Sequence, residues 1–435
     1  MPPEPPNLLN ITQPTLIVLC GVSGCGKSSF AFDNFLSTQI VSSDTCRAIL
    51  SDDPANQSVS GRAFELFHWI IGQRLRRGYT TVADSTALAK RARMELLRIA
   101  RDNKRRAILL VFEVGLSECI RRDALREQPV GQIVIYAQGA KFRQAMRDVQ
   151  TEEWDEVIFM KSTQGEATMQ VRLGSFDLRY ERGPFDIIGD VHGCTDELLE
   201  LLSILGYTLD DNSDISHPDK RKLVFVGDLG DRGPHNADAF ALAMHWVRSG
   251  RAFYTPGNHC NKLMRYLKGR NVTQSHGLDL TIAEVEAREK RKPGFKAQLH
   301  DFISQAPTYL WLDGGKLVVA HGGIKRGMIG RDDRSVQTMC LYGDITGKSN
   351  PDGTPVRLDW AAHYRGDAAI VYGHTPTPTP EWRNNTINID QGCVFGGRLT
   401  ALRWPEREIV QVKARATYDP SKDIDPGPEV IDDKR

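Results

Sequence analysis

Leu16-Ile17-Val18-Leu19-Cys20-Gly21-Val22-Ser23-Gly24-Cys25-Gly26-Lys27-Ser28 is a short apolar run that ends in a glycine-rich loop. The run reads as a buried strand. The loop has the G-x-x-x-x-G-K-S pattern that cradles phosphate when a strand precedes it and a helix follows. Glycine lets backbone N–H groups approach phosphate oxygens without a Cβ in the way. Gly21, Ser23, Gly24, Gly26, Lys27, Ser28 and Ser29 are therefore the expected nucleotide contacts. Lys27 is expected to reach the β- and γ-phosphates and the Ser28 hydroxyl to bind Mg²⁺, with ATP as the nucleotide. A helix is expected from Lys27. Further β-like runs at Ile40-Val41, residues 80–83, 107–112 and 157–160 alternate with polar, helix-compatible stretches. That alternation predicts an α/β domain with a parallel sheet and crossover helices.

The second strand is followed by Ser42-Ser43-Asp44-Thr45-Cys46-Arg47. A carboxylate at that edge of the sheet can take the proton of an attacking hydroxyl. Arg47 lies one helical turn on and could share a face with Asp44 to hold an acceptor phosphate. Spacing alone leaves a second reading open, in which Asp44 only caps the next helix. Asp84, after the third strand, is a further candidate for binding substrate, with the same capping alternative. Arginines crowd residues 91–106, and a solvated helix face is the expectation for most of them. Arg122 and Arg126 follow the fourth strand, where a mobile lid could close on the donor phosphates and offset charge during transfer.

A second series of strands begins at Phe185 and delivers a polar motif at each C-terminal end, where open α/β sheets bind ligands. The motifs are Gly189-Asp190-Val191-His192-Gly193, Gly227-Asp228-Leu229-Gly230-Asp231-Arg232-Gly233, Gly257-Asn258-His259, His321-Gly322-Gly323 and Gly373-His374-Thr375-Pro376. Carboxylates mixed with imidazoles suit Mn²⁺ or a similar transition ion rather than Ca²⁺. Two such ions need a bridging carboxylate, for which Asp228 is the natural choice. Arg232 is expected to hold the substrate phosphate, and His259 to protonate the leaving oxygen. A charged helical insertion is expected over residues 271–300.

The chain has 435 residues, a formal net charge of +1, 40% hydrophobic and 26% charged residues, and eight scattered cysteines. That length allows two or three domains. The balanced charge gives no global pull toward nucleic acid, so a polynucleotide would need a local basic surface. No run approaches the ~20 apolar residues of a membrane helix. The cysteine spacing speaks against structural zinc and disulfides and fits a reducing cytoplasm. Met1–Pro6 has no positive n-region, so no signal peptide is expected.

The motifs from Asp190 to Pro376 resemble those of the calcineurin-like metallophosphoesterases, over about residues 185–400. With the N-terminal part included, the chain is similar to the bacterial polynucleotide kinase-phosphatases of RNA repair. The resemblance implies a P-loop kinase for 5′-OH ends over 1–170, a linker over 171–184 and a binuclear phosphoesterase over 185–417. That phosphoesterase would have two packed sheets flanked by helices and would act on 2′,3′-cyclic phosphate and 3′-phosphate. Residues 418–435 are expected to be a polar tail or linker. Ser43-Asp44-x-x-Arg47 matches the kinase acceptor motif, which implies Asp44 as general base. The stretch Asn388–Gly397 matches the last phosphatase motif and implies Asp390 as a further metal ligand. The implied ligand set is Asp190, His192, Asp228, Asn258, His321, His374 and Asp390, with Asn258 also near the substrate. RNA ends, with DNA ends as an alternative, and a fused or separate RNA ligase are the implied partners. Two departures stand out: Gly230 where a bulkier residue is usual, and Cys260 where an acid usually follows the histidine. The first rival reading is a protein or dinucleoside-polyphosphate phosphatase regulated by a nucleotide-binding domain; a second, an ATP-gated RNA-binding scaffold with a vestigial site, is opposed by the intact ligand set.

Overall fold

A computed structural model describes residues 8–422 apart from 12, 162–169 and 351–354. Most of the expected tail, residues 423–435, lies outside the described residues. The chain divides into two compact units, Glu4–Gly174 and Ser175–Arg435.

The first unit is built on a five-stranded sheet in the order Ile40–Ser42, Thr81–Asp84, Thr15–Cys20, Arg106–Glu113, Glu156–Lys161. Every neighbouring pair is parallel. Both faces are covered, so the central strand Thr15–Cys20 is buried along its whole length. That placement carries the glycine loop to the C-terminal edge of the sheet, ahead of the helix Lys27–Asn34. The arginine-rich helix Lys90–Asp102 departs from the expected solvated face at Arg93, which is fully buried. Its guanidinium makes three hydrogen bonds to Glu152, at 2.7, 3.0 and 3.2 Å, and donates to the carbonyls of Ala87 and Leu88 at 3.0 and 2.8 Å.

The second unit stacks two sheets. In one, Ala252–Tyr254, Lys222–Phe225 and Phe185–Ile188 run parallel, and Arg398–Trp404 joins antiparallel. The other has the order Leu310–Leu312, Leu317–Val319, Ala369–Tyr372, Thr386–Asn388, Trp382–Arg383. Strand alternation sorts the core. Phe185, Ile187, Val224 and Val226 pack between the sheets against Leu312, Val319 and Val371. Ile188, Leu223 and Phe225 face the helices on the outer side.

Two expectations need correction. Residues 171–184 are not a free linker. Gln170–Arg172 pairs with Leu8–Asn10, and Phe176 stacks on Tyr309 within the second unit, ring centroids 4.7 Å apart. Residues 418–422 are not a free tail. Tyr418 packs against the helix-side core, where Val394 and Phe395 offer apolar surface. The expected insertion is two helices, Leu278–Arg291 and Phe295–Gln305, whose Leu278, Ile282, Val285 and Leu299 join that same core.

Candidate active sites

In the first unit the glycine loop passes so close to a neighbouring carbonyl that one of its positions leaves no room for a side chain. Gly24 has φ +80°, and a Cβ there would lie 2.3 Å from the carbonyl oxygen of Cys119. Lys27 is buried, and its ammonium donates to the Val22 carbonyl at 2.8 Å. Ser28 Oγ donates to Asp84 Oδ2 at 2.9 Å. Burial raises the Asp84 pKa, and the Ser28 hydroxyl and Lys27 oppose that rise. Asp84 thus stands beside the residue expected to bind Mg²⁺, with Asp44 near enough to add to the rise of its pKa.

Ser42, not Asp44, caps the helix Ser43–Ser51, accepting from the Asp44 N–H at 3.2 Å. The Asp44 side chain is 65% exposed and ion-paired to Arg47. Arg47 is buried and is also held by the Pro54 carbonyl at 2.7 Å. The helical spacing therefore brings both groups to one face, and the capping alternative falls. Asp44, Arg47, Asp84, Arg122, Arg126 and the glycine loop line one cavity of about 1810 Å³. One contact carried no local signal: Gln138, on the helix Gln132–Asp148, accepts from the Ser23 N–H at 2.7 Å.

In the second unit, His192, Asp228 and His259 form one group of potential metal ligands, and Asp228, His321 and His374 form another. The ligand atoms within each group lie within 4.8 Å of one another, and Asp228 belongs to both. Asn258 Oδ1 is 3.0 Å from His321 Nε2. Asp190 Oδ2 is 3.9 Å from His321 Nδ1 and accepts from the His374 N–H. Asp390 lies across Gly373 from Asp190, since a Cβ on that glycine would meet Asp190 Oδ1 at 2.1 Å and Asp390 Cβ at 3.4 Å. All the expected ligands thus come together. His192, Asp228, Asp231, Arg232 and His374 all have positive φ, a concentration of backbone strain typical of functional sites.

The donor set fits divalent cations. Asp190 Oδ1 and His321 Nδ1 are buried without a hydrogen-bond partner among the described residues. Burial, with Asp390 close by, drives the Asp190 pKa up. Burial lowers His321, but the Asp228 and Asp190 carboxylates overcome it and hold the imidazole up at about 9. Burial and neighbouring His259 push His192 down to about 3, so it is a neutral imidazole. Its Nδ1–H donates to the Gly230 carbonyl at 2.9 Å, which leaves Nε2 as the ligand atom.

Both sequence departures find an explanation. A Cβ at Gly230 would lie 2.5 Å from Phe240, so that aromatic fills the space of the usual bulkier residue. The acid that orients His259 is not needed at 260. Asp231 Oδ2 accepts from His259 Nδ1 at 2.7 Å. Thr281, from the insertion, donates to the other Asp231 oxygen at 2.5 Å. Cys260 is instead a buried thiol, 2.9 Å from the Tyr254 hydroxyl. Asp231 was visible in its motif, but nothing local marked it as the partner of His259.

Among the described residues no helix is long and apolar enough to cross a membrane. The AAA-domain family model matches residues 16–148. The bis(5′-nucleosyl)-tetraphosphatase PrpE [asymmetrical] of Anoxybacillus flavithermus is 53% identical over 235 residues, 54% of this chain and 96% of that protein. The protein of the same name from Halalkalibacterium halodurans is 54% identical over 232 residues, 53% of this chain and 94% of its own. These similarities cover the phosphoesterase part alone. A solved protein serine/threonine phosphatase from Saccharomyces cerevisiae superposes with TM-score 0.38 at 14% identity, over 55% of this chain and 83% of that one. The calcineurin-like phosphoesterase model matches residues 183–404, more than half of the chain, and the chain belongs to that family, with an AAA-type P-loop unit ahead of its phosphoesterase unit.

Proposed function

We propose that this chain heals RNA ends, phosphorylating 5′-OH termini with ATP in the first unit and clearing 3′-phosphate and 2′,3′-cyclic phosphate in the second. The observation that carries the reading is the Asp44–Arg47 pair in the cavity of the phosphate loop. A regulatory nucleotide-binding domain has no need of a base and a cation on the acceptor side. In this reading Asp44 takes the proton of the 5′-hydroxyl, and Arg47 holds the acceptor's first phosphate. Lys27, Arg122 and Arg126 offset the charge of the transferring phosphoryl group. Ser28 and Asp84 together would hold Mg²⁺.

In the second unit Asp190, His192, Asp228, Asn258, His321, His374 and Asp390 would hold two Mn²⁺ or similar ions. Such ions, when bound, supply the charge that acidifies a water and draws in phosphate oxygens. Arg232 grips the phosphate. His259, its Nδ1 committed to Asp231, presents Nε2 to the leaving oxygen. Asymmetric cleavage of a dinucleoside tetraphosphate is the second reading, favoured by the name that relatives at 53–54% identity carry.

The test is one oligoribonucleotide with 5′-OH and 3′-phosphate ends, incubated with ATP, Mg²⁺ and Mn²⁺, beside diadenosine tetraphosphate. End healing predicts a product with 5′-phosphate and 3′-OH. Untouched RNA ends together with rapid cleavage of the dinucleotide would replace this reading by the second.

A further inference from the structure

We propose that Tyr418–Lys422 completes the phosphate site of the second unit: Asp419 is a positioning residue that fixes Arg232, and Lys422 adds a second cation for the substrate phosphate. The proposal rests on the phosphoesterase reading of that site.

The segment is held by contacts of its own. The N–H groups of Tyr418 and Asp419 both donate to the Val394 carbonyl at 3.0 Å. The Tyr418 hydroxyl donates to Glu197 at 2.8 Å. A Cβ at Gly396 would lie 2.5 Å from Thr417 Oγ1, so the chain runs flush against the turn that follows Asp390. The segment therefore reaches the metal-ligand cluster at a fixed place.

What it brings there is directed at Arg232. Asp419 ion-pairs with Nη1 of Arg232, and Ser421 Oγ is 3.5 Å from the same nitrogen. The guanidinium lies over the Phe395 ring, its carbon 5.1 Å from the centroid. Stacking on one face and pairing at one nitrogen leave this planar group little freedom to turn. Nε, on the other edge, is buried and has no hydrogen-bond partner among the described residues. Buried donors are rarely left unmatched, and an arginine edge suits a phosphate bidentately. A substrate oxygen is the acceptor that Nε lacks.

Lys422 stands over the same ring, with Nζ 5.0 Å from its centroid. Arg357 approaches from another side and donates to His374 Nε2 at 2.9 Å. Cations gathered this closely repel unless anions lie among them. Asp390 and Asp419 provide negative charge beside Lys422, and a phosphate dianion adds to it. A competing arrangement, with Asp419 blocking Arg232 as a phosphate mimic, predicts tighter phosphate binding and a lower KM in Asp419→Ala.

The experiment uses the full chain loaded with Mn²⁺. Inorganic phosphate binding is measured by calorimetry, and p-nitrophenyl phosphate hydrolysis gives KM and kcat. Asp419→Ala and Lys422→Ala are each expected to weaken phosphate binding and raise KM by about tenfold, as loss of a charge-assisted contact does, with a smaller change in kcat. In an Arg232→Ala background, Asp419→Ala should add nothing, because it acts only through that arginine. Tighter phosphate binding, unchanged binding, or full additivity with Arg232→Ala would overturn the assignment of Asp419. Unchanged binding in Lys422→Ala would overturn that of Lys422. Should Asp419→Ala melt early, Asp419→Asn keeps the shape and is read instead. No hydrolysis by the unmodified chain would fail the phosphoesterase reading itself, a separate result.

Discussion

Asp44 sits in the first turn of a helix that another residue caps, so its carboxylate is available for chemistry. Asp44→Asn keeps the shape and should preserve the fold. A positioned base is worth ~10²–10⁴ in rate, and a loss of that order in 5′-OH phosphorylation, with ATP binding kept, is the expected outcome of a single-turnover assay. Near-normal turnover would leave Asp44 without a catalytic part. The second unit offers a matching case in His259 and Asp231. A ribose oxygen leaves as a poor alkoxide and needs a proton, whereas nitrophenolate leaves without one. His259→Ala should therefore slow hydrolysis of a 3′-phosphate far more than that of p-nitrophenyl phosphate, by a further ~10²-fold or more. Asp231→Asn should move in the same direction, since an amide does not stabilise the imidazolium. Equal losses on both substrates at full metal content would remove the proton-donor role. The pair also shows where reading a sequence stops. Most ligands lay in motifs at strand ends and could be named from them, whereas Asp390 was implied only by the family resemblance. Asp231 could not be paired with His259, because the contact spans 28 residues, and Thr281 reaches Asp231 from an insertion 50 residues away.

At the scale of elements, strands were the most legible feature, because short apolar runs ending in polar motifs mark the sheets of both units. Helices were less so, since charge alone does not say which side is buried. Arg93 and Arg98 lie on one helix with the same chemistry. Arg98 meets Glu95 and Asp102 at the surface. Arg93 is buried against Glu152, 59 residues away, which no local pattern announces. The two pairs should differ sharply in stability. Removing one partner of a buried pair strands the other charge and costs about 3–5 kcal/mol. An exposed pair contributes about 1 kcal/mol or less. Urea unfolding of Glu152→Gln and Glu95→Gln should separate along those lines. A loss under 1 kcal/mol for Glu152→Gln would mean that Asp148 and the carbonyls of Ala87 and Leu88 suffice for Arg93. The same blindness applied to Tyr418–Lys422, whose polar composition reads as linker until Val394 and Glu197 are seen to hold it.

The whole molecule is two units, each with its own core and its own candidate site. Lys27→Ala should abolish 5′ phosphorylation and leave p-nitrophenyl phosphate hydrolysis intact; loss of both in a folded protein would end the two-site view. The same separation should appear in heat unfolding, and pH gives it a sign. In the metal-free protein His321 is held up at about 9 against burial by Asp228 and Asp190, above the ordinary histidine value of about 6.5. A group raised on folding contributes stability that is complete below the unfolded pKa and fades as pH climbs through the folded one. The metal-free second unit should thus lose stability from about pH 6.5 toward 9. A divalent cation takes the imidazole without its proton, so its binding strengthens over the same interval. Ligand binding to the folded state raises Tm by mass action. Scanning calorimetry with and without Mn²⁺ should therefore show a Tm shift for the second unit that is larger at pH 8 than at pH 6.5, a trend that the first unit's transition lacks. A shift that shrinks with pH would mean that His321 is not deprotonated on metal binding. The same pH trend in both transitions would mean that the two units do not unfold independently.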